Sequence, residues 1–256
     1  MIKKIIKVLD IADSYRINKK NIFSLPMRLV VVGKSGCGGG KTNLIVNLLA
    51  RKEFYKDDFK GENIFIISPS VKNDKKLENV IKYLKIPDGN IMQEYDEQLL
   101  NEIYDMIDQE YQEAVADKKK PPHMLFYFDD VGFSGKLRAK QNNFISRLFM
   151  NGRHLNISTI VACQSYKQLA PQVRENLTGL ILFQLPDKNL EVVIDEHNYL
   201  QDKKEFKAMF RKTVSEPHSF FVVNYNNPLK TRYLNSSFEP IEMNQSKYTN
   251  QLIKLL

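Results

Sequence analysis

Short apolar runs and helical periods alternate along most of this chain of 256 residues. Six runs predict strands, because they are rich in branched and aromatic residues, are short and are bounded by turn residues. They are residues 27–32, 63–68, 123–128, 158–163, 179–183 and 219–225. Apolar residues recur at helical spacing in residues 42–51, 77–84 and 99–115. Strands separated by helices predict an α/β fold with a mainly parallel central sheet flanked by helices.

Five of the eleven glycines fall within residues 33–40, in the segment GKSGCGGGKT between a predicted strand and a predicted helix. Such a loop directs backbone N–H groups and the positive end of a helix dipole at phosphate oxygens. Lys41 would contact the β- and γ-phosphates of ATP, and the Thr42 hydroxyl would bind Mg²⁺. The predicted nucleotide-binding residues are Gly33, Ser35, Gly36, Cys37, Gly38, Gly39, Gly40, Lys41 and Thr42.

The spacing of this phosphate loop departs from the pattern Gly-x-x-x-x-Gly-Lys-[Ser/Thr]. Counted back from Lys41, Ser35 occupies the position of the first glycine. Counted forward from Gly33, the loop is two residues too long. Gly40, Lys41 and Thr42 still open the helix in the usual way, so we expect a nucleotide-binding loop with a looser phosphate cradle.

Two carboxylates, Asp129 and Asp130, directly follow the third predicted strand and form a Walker B arrangement. Asp129 is predicted to hold Mg²⁺ through water, because hard cations prefer oxygen ligands. Strand alternation predicts that Asp130 points the other way, where it could orient or deprotonate the attacking water.

Further polar residues lie downstream of this pair. Gln164 closes the fourth predicted strand, where its amide could sense the γ-phosphate or position water. Arg153 follows Asn151-Gly152, a helix stop signal, which places it on an exposed loop as an arginine finger or as a plain surface residue. Arg147 is predicted to pack along its own helix.

The chain carries a net charge of +8 that is confined to its first quarter. Residues 1–60 hold 13 basic and 5 acidic residues, whereas the remainder is balanced at 25 of each. This bias favours an anionic partner such as nucleic acid, with lysine-rich codon usage as the alternative. Lys136, Arg138 and Lys140 alternate on a glycine-bounded loop that could track DNA phosphates, or could be a solvated basic face.

The composition, 43% hydrophobic and 27% charged, is that of a globular protein. Two cysteines, Cys37 and Cys163, exclude a disulfide scaffold and a four-cysteine zinc site. No apolar stretch approaches the roughly 20 residues that span a bilayer, and the start is too charged for a signal peptide. The sequence therefore predicts a reducing, intracellular compartment and no membrane span.

These motifs resemble those of the FtsK–HerA superfamily of P-loop ATPases, especially the poxvirus-type DNA-packaging ATPases of large DNA viruses and virophages. The resemblance covers roughly residues 25–225 and rests on VVVGKSGCGGGKT, Ser68-Pro69-Ser70, FYFDDVG, NGRHLNIS and VACQ. The lengthened phosphate loop departs from the family pattern. We expect a helical segment and linker in residues 1–25, a P-loop ATPase domain in residues 26–235, with an edge hairpin after Pro228, and a C-terminal tail in residues 236–256.

The resemblance implies a three-layer, RecA-like core of the additional-strand type, in which the Gln164 strand lies between the Asp129 strand and the phosphate-loop strand. It implies that Asp129, Asp130, Gln164 and Arg153 form the catalytic set with Lys41, using ATP and Mg²⁺. The implied activity is the translocation of double-stranded DNA into a capsid by a homo-oligomeric ring, a pentamer or hexamer, that meets capsid or portal-vertex proteins. The implied location is the host cytoplasm or viral factory, or the virion.

Two other functions stay open. A nucleotide-binding DNA-binding scaffold with weak or no turnover would account for the lengthened loop. A small-molecule P-loop kinase would share the loop, but the sequence has no arginine-rich lid. DNA-stimulated ATP hydrolysis would distinguish the three hypotheses.

Overall fold

A computed structural model describes residues 22–34, 40–130, 143–200 and 202–242. The strands in these ranges are β1 (Arg28–Val32), β2 (Ile64–Ile67), β3 (Ile91–Met92), β4 (Met124–Asp129), β5 (Ile157–Cys163), β6 (Gly179–Leu182), β7 (Phe221–Asn224) and β8 (Tyr233–Leu234). The α-helices are α1 (Lys41–Ala50), α2 (Lys75–Leu84), α3 (Glu97–Ala116), α4 (Phe144–Asn151), α5 (Pro171–Glu175), α6 (Asp187–His197) and α7 (Lys203–Thr213). Among the described helices, none is both long and apolar enough to cross a bilayer.

The strands form one sheet in the order β3-β2-β4-β5-β1-β6-β7-β8. The first six strands of the chain pair in parallel, and β7 and β8 add an antiparallel end. The prediction of a mainly parallel sheet is therefore confirmed. The strand that precedes Gln164, β5, lies between β4 and β1, which is the strand order that the resemblance implies.

The sheet is covered on both faces, which gives three layers. In β4 all six residues are buried. Phe126 and Phe128 contribute to a core under α3 to α7, whereas Leu125 and Tyr127 contribute to the opposite core under α1 and α2. A strand buried on both sides has no need of polar alternation, which explains its continuous apolar run.

The pattern of apolar residues did not predict every element of the fold. β3 has only two residues, so its pattern is too short to stand out. The helices after β5 and β6 were not assigned from the sequence either. An antiparallel edge hairpin is present, but Pro228 lies between its strands and not before them, because β8 pairs with β7.

Residues near both ends of the predicted ATPase domain pack into its core. Phe23 is fully buried, and a Cβ atom on Gly179 would lie 2.2 Å from its ring. Phe238 lies edge-on to Phe54 and contacts Phe220. Most of residues 1–25 and the end of the predicted tail lie outside the described residues, so the division into three segments stays a prediction.

Candidate nucleotide-binding site

The carboxyl ends of the parallel strands meet at one edge of the sheet, beside a cleft of about 370 Å³. In open α/β sheets this edge is where ligands bind. The cleft brings together five residues that the sequence assigned to ATP, Mg²⁺ and hydrolysis, namely Gly40, Lys41, Thr42, Asp129 and Asp130. Its other lining residues are Lys34, Asn43, Ser70, Asp74 and Lys76.

The phosphate loop joins β1 to α1, as its position in the sequence predicts. Lys41 is only 6% exposed, and its ammonium donates a hydrogen bond to the Gly33 carbonyl at 2.8 Å. Among the described residues, no side chain caps the start of α1, so its first N–H groups can bind an anion. The predicted contacts Ser35, Gly36, Cys37, Gly38 and Gly39 lie outside the described residues.

One neighbouring side chain leaves little room for a larger residue at Gly33 and Gly40. Phe183 follows β6 and is buried. A Cβ atom on Gly33 would lie 3.0 Å from the Phe183 Cβ atom, and a Cβ atom on Gly40 would lie 2.9 Å from the ring. A larger residue at Gly33 or Gly40 would therefore have to displace the Phe183 ring or the backbone at that position.

Asp129 is the last residue of β4 and is only 5% exposed. Its Oδ2 atom accepts hydrogen bonds from the hydroxyls of Ser68, at 3.1 Å, and Ser70, at 3.4 Å. Burial and the nearby charge of Asp130 raise the pKa of the Asp129 carboxyl, while the Ser68 bond and the charge of Lys41 oppose that rise.

The donor set in the cleft fits Mg²⁺ bound together with a nucleotide. The Asp129 carboxylate and the Thr42 hydroxyl are hard oxygen donors on one cleft. The described residues contain no cluster of three His, Cys, Asp or Glu side chains suited to a metal. Mg²⁺ commonly binds through one or two carboxylates, waters and substrate phosphates, so this sparse set is sufficient.

Asp130 lines the same cleft as Asp129, and the direction of its side chain relative to that of Asp129 stays a prediction. The chain leaves the strand at this residue, which adopts a left-handed conformation with φ of 50°. Its N–H donates to the Ala162 carbonyl at 3.0 Å, and its Oδ2 atom accepts a hydrogen bond from the Gln164 amide at 3.3 Å. Asp130 and Gln164 are therefore neighbours, as two residues that act on one water would be.

Arg153 lies at the amino-terminal end of β5, at the opposite end of the strands from the cleft. It is exposed on the 3-10 turn Gly152–Leu155, immediately before β5, where its side chain contacts His154. β5 has seven residues and ends beside the cleft. At about 3.3 Å per residue, roughly 23 Å of strand separates Arg153 from its own cleft. The prediction of an exposed loop is confirmed, and a contact with its own bound nucleotide is excluded in this conformation.

Arg147 does not pack along its own helix, so that prediction is wrong. Its guanidinium donates to Asn101 at 2.8 Å, pairs with Asp105 at 3.3 Å and lies 3.8 Å from the centre of the Tyr104 ring. These three residues share one face of α3 and offer the guanidinium a hydrogen bond, an ion pair and an aromatic ring. Arg147 therefore links α4 to α3 and does not line the cleft.

The model of the poxvirus A32 protein family matches residues 14–226. This chain belongs to the poxvirus A32 family. Curated relatives include the DNA packaging protein OPG160 of vaccinia virus strain Copenhagen, 32% identical over 176 residues, and that of monkeypox virus, 30% identical over 186 residues. These alignments cover 68% and 72% of this chain but 59% and 56% of the relatives, so less than two thirds of their length is represented.

Solved structures support the fold of this A32 family member. The genome packaging NTPase B204 of Sulfolobus turreted icosahedral virus 2, in complex with AMP, has a TM-score of 0.52 and 14% identity. The match covers 78% of this chain and 94% of that chain. EssC (ATPases 2 and 3) from Geobacillus thermodenitrificans has a TM-score of 0.54 and 12% identity over 90% of this chain and 43% of that one. The predicted three-layer P-loop fold is thereby confirmed.

Sequence reasoning missed one wall of the cleft of this A32 family member. Ser70, Asp74 and Lys76 come from the turn after β2 and the start of α2. Ser68-Pro69-Ser70 ends a predicted strand, and polar residues at the carboxyl ends of parallel strands lie close together. The position of Ser70 at a strand end could therefore have identified it as a cleft residue. The predicted DNA-binding residues Lys136, Arg138 and Lys140 lie outside the described residues.

Proposed function

We propose that this chain is an Mg²⁺-dependent ATPase that translocates double-stranded DNA into a viral capsid. The observation that carries the proposal is the meeting of Lys41, Thr42, Asp129, Asp130 and Gln164 at one edge of the sheet. The relatives named DNA packaging protein support the DNA substrate, since the chain aligns with more than half of their length.

Nucleotide binding follows from the phosphate loop and α1. When ATP enters, the Lys41 ammonium exchanges the Gly33 carbonyl for phosphate oxygens, which are stronger partners because they are charged. Thr42 and Asp129 would hold the Mg²⁺ ion that accompanies ATP, which neutralises charge on the β- and γ-phosphates. The N–H groups at the start of α1 bind the remaining phosphate charge.

Hydrolysis needs a water that is positioned and deprotonated beside the γ-phosphate. Asp130 accepts the proton of this water, and the Gln164 amide holds the Asp130 carboxylate in place. Because the amide nitrogen donates to Asp130, the amide oxygen can accept a hydrogen bond from the same water. The two residues therefore act as one unit.

Arg153 acts on the nucleotide of a neighbouring subunit. An arginine supplied from another subunit neutralises charge that develops in the phosphoryl-transfer transition state. Such an arginine typically raises the rate of hydrolysis by about 10³–10⁵-fold. The cleft and Arg153 lie at opposite ends of the strands, which suits a head-to-tail contact between copies. Head-to-tail contacts generate a closed ring when the rotation closes, here a pentamer or hexamer.

The DNA path and the outer partners complete the proposal. Lys136, Arg138 and Lys140 track DNA phosphates without reading bases, and the basic first quarter of the chain adds attraction for DNA. Capsid or portal-vertex proteins are the partners of the ring, which acts in the host cytoplasm, in the viral factory or in association with the virion.

One alternative function has a specific observation in its favour. The lengthened phosphate loop would suit a nucleotide-binding DNA-binding scaffold with weak or no turnover. A small-molecule kinase has no such support in the described residues.

ATP hydrolysis measured with and without duplex DNA tests the proposal. We expect turnover that requires Mg²⁺ and rises when duplex DNA is added. Nucleotide binding without turnover would favour the scaffold, and turnover that responds only to a small phosphate acceptor would favour the kinase. Either result would contradict the proposed function.

A further inference from the structure

The end of β2 places a fully buried hydroxyl against the Asp129 carboxylate. Ser68 follows β2 directly, and β2 pairs in parallel with β4, so the two strand ends are neighbours. The Ser68 side chain is 0% exposed, and its hydroxyl lies 3.1 Å from Asp129 Oδ2. Its own N–H donates to the Met92 carbonyl of β3 at 2.9 Å. Hydrogen bonds to β4 and to β3 therefore hold the Ser68 side chain and backbone in place.

Ser70 extends this contact into the cleft. Its hydroxyl lies 3.1 Å from that of Ser68 and 3.4 Å from Asp129 Oδ2. A hydroxyl has one proton to donate, and Ser68 gives its proton to Asp129. The Ser70 proton is thus shared between the Ser68 oxygen and the same carboxylate. Unlike Ser68, Ser70 is exposed and lines the cleft with Lys41.

The turn that carries both serines is itself well ordered by hydrogen bonds. The Ser70 N–H donates to the Ser68 hydroxyl at 3.3 Å, and the Ser70 carbonyl accepts from the N–H groups of Asn73 and Asp74 at 2.8 and 2.9 Å. Asp74 then caps α2 by accepting from two N–H groups of its first turn. The two serines therefore lie on a hydrogen-bonded turn that leads directly into α2.

We propose that Ser68 and Ser70 are positioning residues that orient the Asp129 carboxylate for the metal of the nucleotide. Both hydroxyls bond the same oxygen, Oδ2, so they restrict the rotation of the carboxylate, and neither serine occupies its Oδ1 atom. Groups that orient a metal-binding carboxylate in this way typically change metal affinity by about 10–100-fold when removed. This inference rests on the proposed function, because it assumes that Asp129 serves a metal–nucleotide complex.

The test measures metal binding directly. Mn²⁺, a paramagnetic substitute for Mg²⁺, is titrated into the full chain with saturating ADP, and bound Mn²⁺ is followed by electron paramagnetic resonance. We expect the Ser68→Ala/Ser70→Ala double variant to bind Mn²⁺ about 10–100-fold more weakly than the wild type, with ADP affinity in the absence of metal unchanged. Ser70→Thr keeps the hydroxyl and should keep wild-type Mn²⁺ affinity.

A matched control separates positioning from general loss of stability. Ser158 in β5 is equally buried, and its hydroxyl accepts a hydrogen bond from the Met27 N–H at 3.1 Å, far from the cleft. Ser158→Ala should lower stability without changing Mn²⁺ affinity. In ATP hydrolysis, the Ser70→Ala variant should need more Mg²⁺ for half-maximal rate and approach the wild-type kcat at saturating Mg²⁺.

The possible results discriminate between the two claims. Should Ser68→Ala fail to fold, the exposed Ser70→Ala variant decides alone, with an expected several-fold loss of Mn²⁺ affinity. Ser70→Ala and double variants that bind Mn²⁺ as tightly as Ser158→Ala would overturn the positioning role. A wild-type chain that binds no Mn²⁺ with ADP and hydrolyses no ATP would instead contradict the proposed function.

Discussion

Acidification should destabilise this protein, because it buries a neutral imidazole. His197 ends α6 and is only 3% exposed. Its Nε2 atom lies 2.5 Å from the Tyr166 hydroxyl, and its Nδ1 atom bonds the Tyr225 hydroxyl. Burial, together with the positive charge of Arg174, lowers the pKa of His197 from 6.5 to about 4.

The size of the effect follows from this difference in pKa. The unfolded chain protonates His197 near pH 6.5, whereas the folded protein does so only near pH 4. Between these values the unfolded state binds more protons, so the free energy of unfolding decreases as the pH falls. One pKa unit is worth about 1.4 kcal/mol, which gives a loss of about 2 kcal/mol at pH 5 and about 3 kcal/mol at pH 4.

Urea unfolding at pH 7 and pH 5 measures this loss in the wild type and in His197→Gln. The glutamine variant cannot take up the proton, so its stability should change less between the two pH values, by about 2 kcal/mol. His123 is also buried with a lowered pKa, but it is present in both proteins and cancels in the comparison. An equal pH dependence in the two proteins would refute the assignment of the effect to His197.

The remaining predictions concern the phosphate loop, one close backbone contact and the subunit interface. Lys41→Ala should abolish turnover and weaken ATP binding, whereas Asp130→Asn should retain bound ATP without hydrolysis; a filter-binding and phosphate-release assay distinguishes them, and wild-type turnover in Asp130→Asn would disprove its role. Gly61→Ala should destabilise by about 1–3 kcal/mol in urea unfolding, because its Cβ atom would lie 2.0 Å from the Leu84 carbonyl oxygen. Gly89→Ala, in an equivalent turn with no atom within 4 Å, is the control and should change stability little. Inactive Arg153→Ala and Lys41→Ala subunits should regain ATPase activity when mixed; no recovery in rings shown by mass to be mixed would argue against action between subunits.

The sheet could be predicted from the sequence largely because its central strands are buried on both faces. Continuous apolar runs such as that of β4 stand out without any alternation. β3 could not be found in this way, since its two residues carry no pattern and pair with only two residues of β2. The position of β5 between β4 and β1 came from the family resemblance and not from periodicity.

The candidate site was predictable where local order decides position. Lys41 and Thr42 follow a glycine loop, and Asp129 ends a buried strand, so their meeting at one edge follows from a parallel sheet. The backbone conformation of Asp130 was not predictable, because its φ of 50° lies in a region that residues other than glycine rarely adopt. The partners of Arg147 were missed for another reason, since they lie on a helix more than 40 residues earlier in the chain.

Movement of the protein along DNA tests the central claim most directly. A third strand is annealed to one end of a duplex, and its release is followed by fluorescence after addition of the protein, Mg²⁺ and ATP. The account predicts release of the strand by the wild type with ATP, and none with Asp130→Asn or with a non-hydrolysable ATP analogue. Hydrolysis of ATP by the wild type without strand release, or equal release by Asp130→Asn, would contradict an ATP-driven DNA translocase.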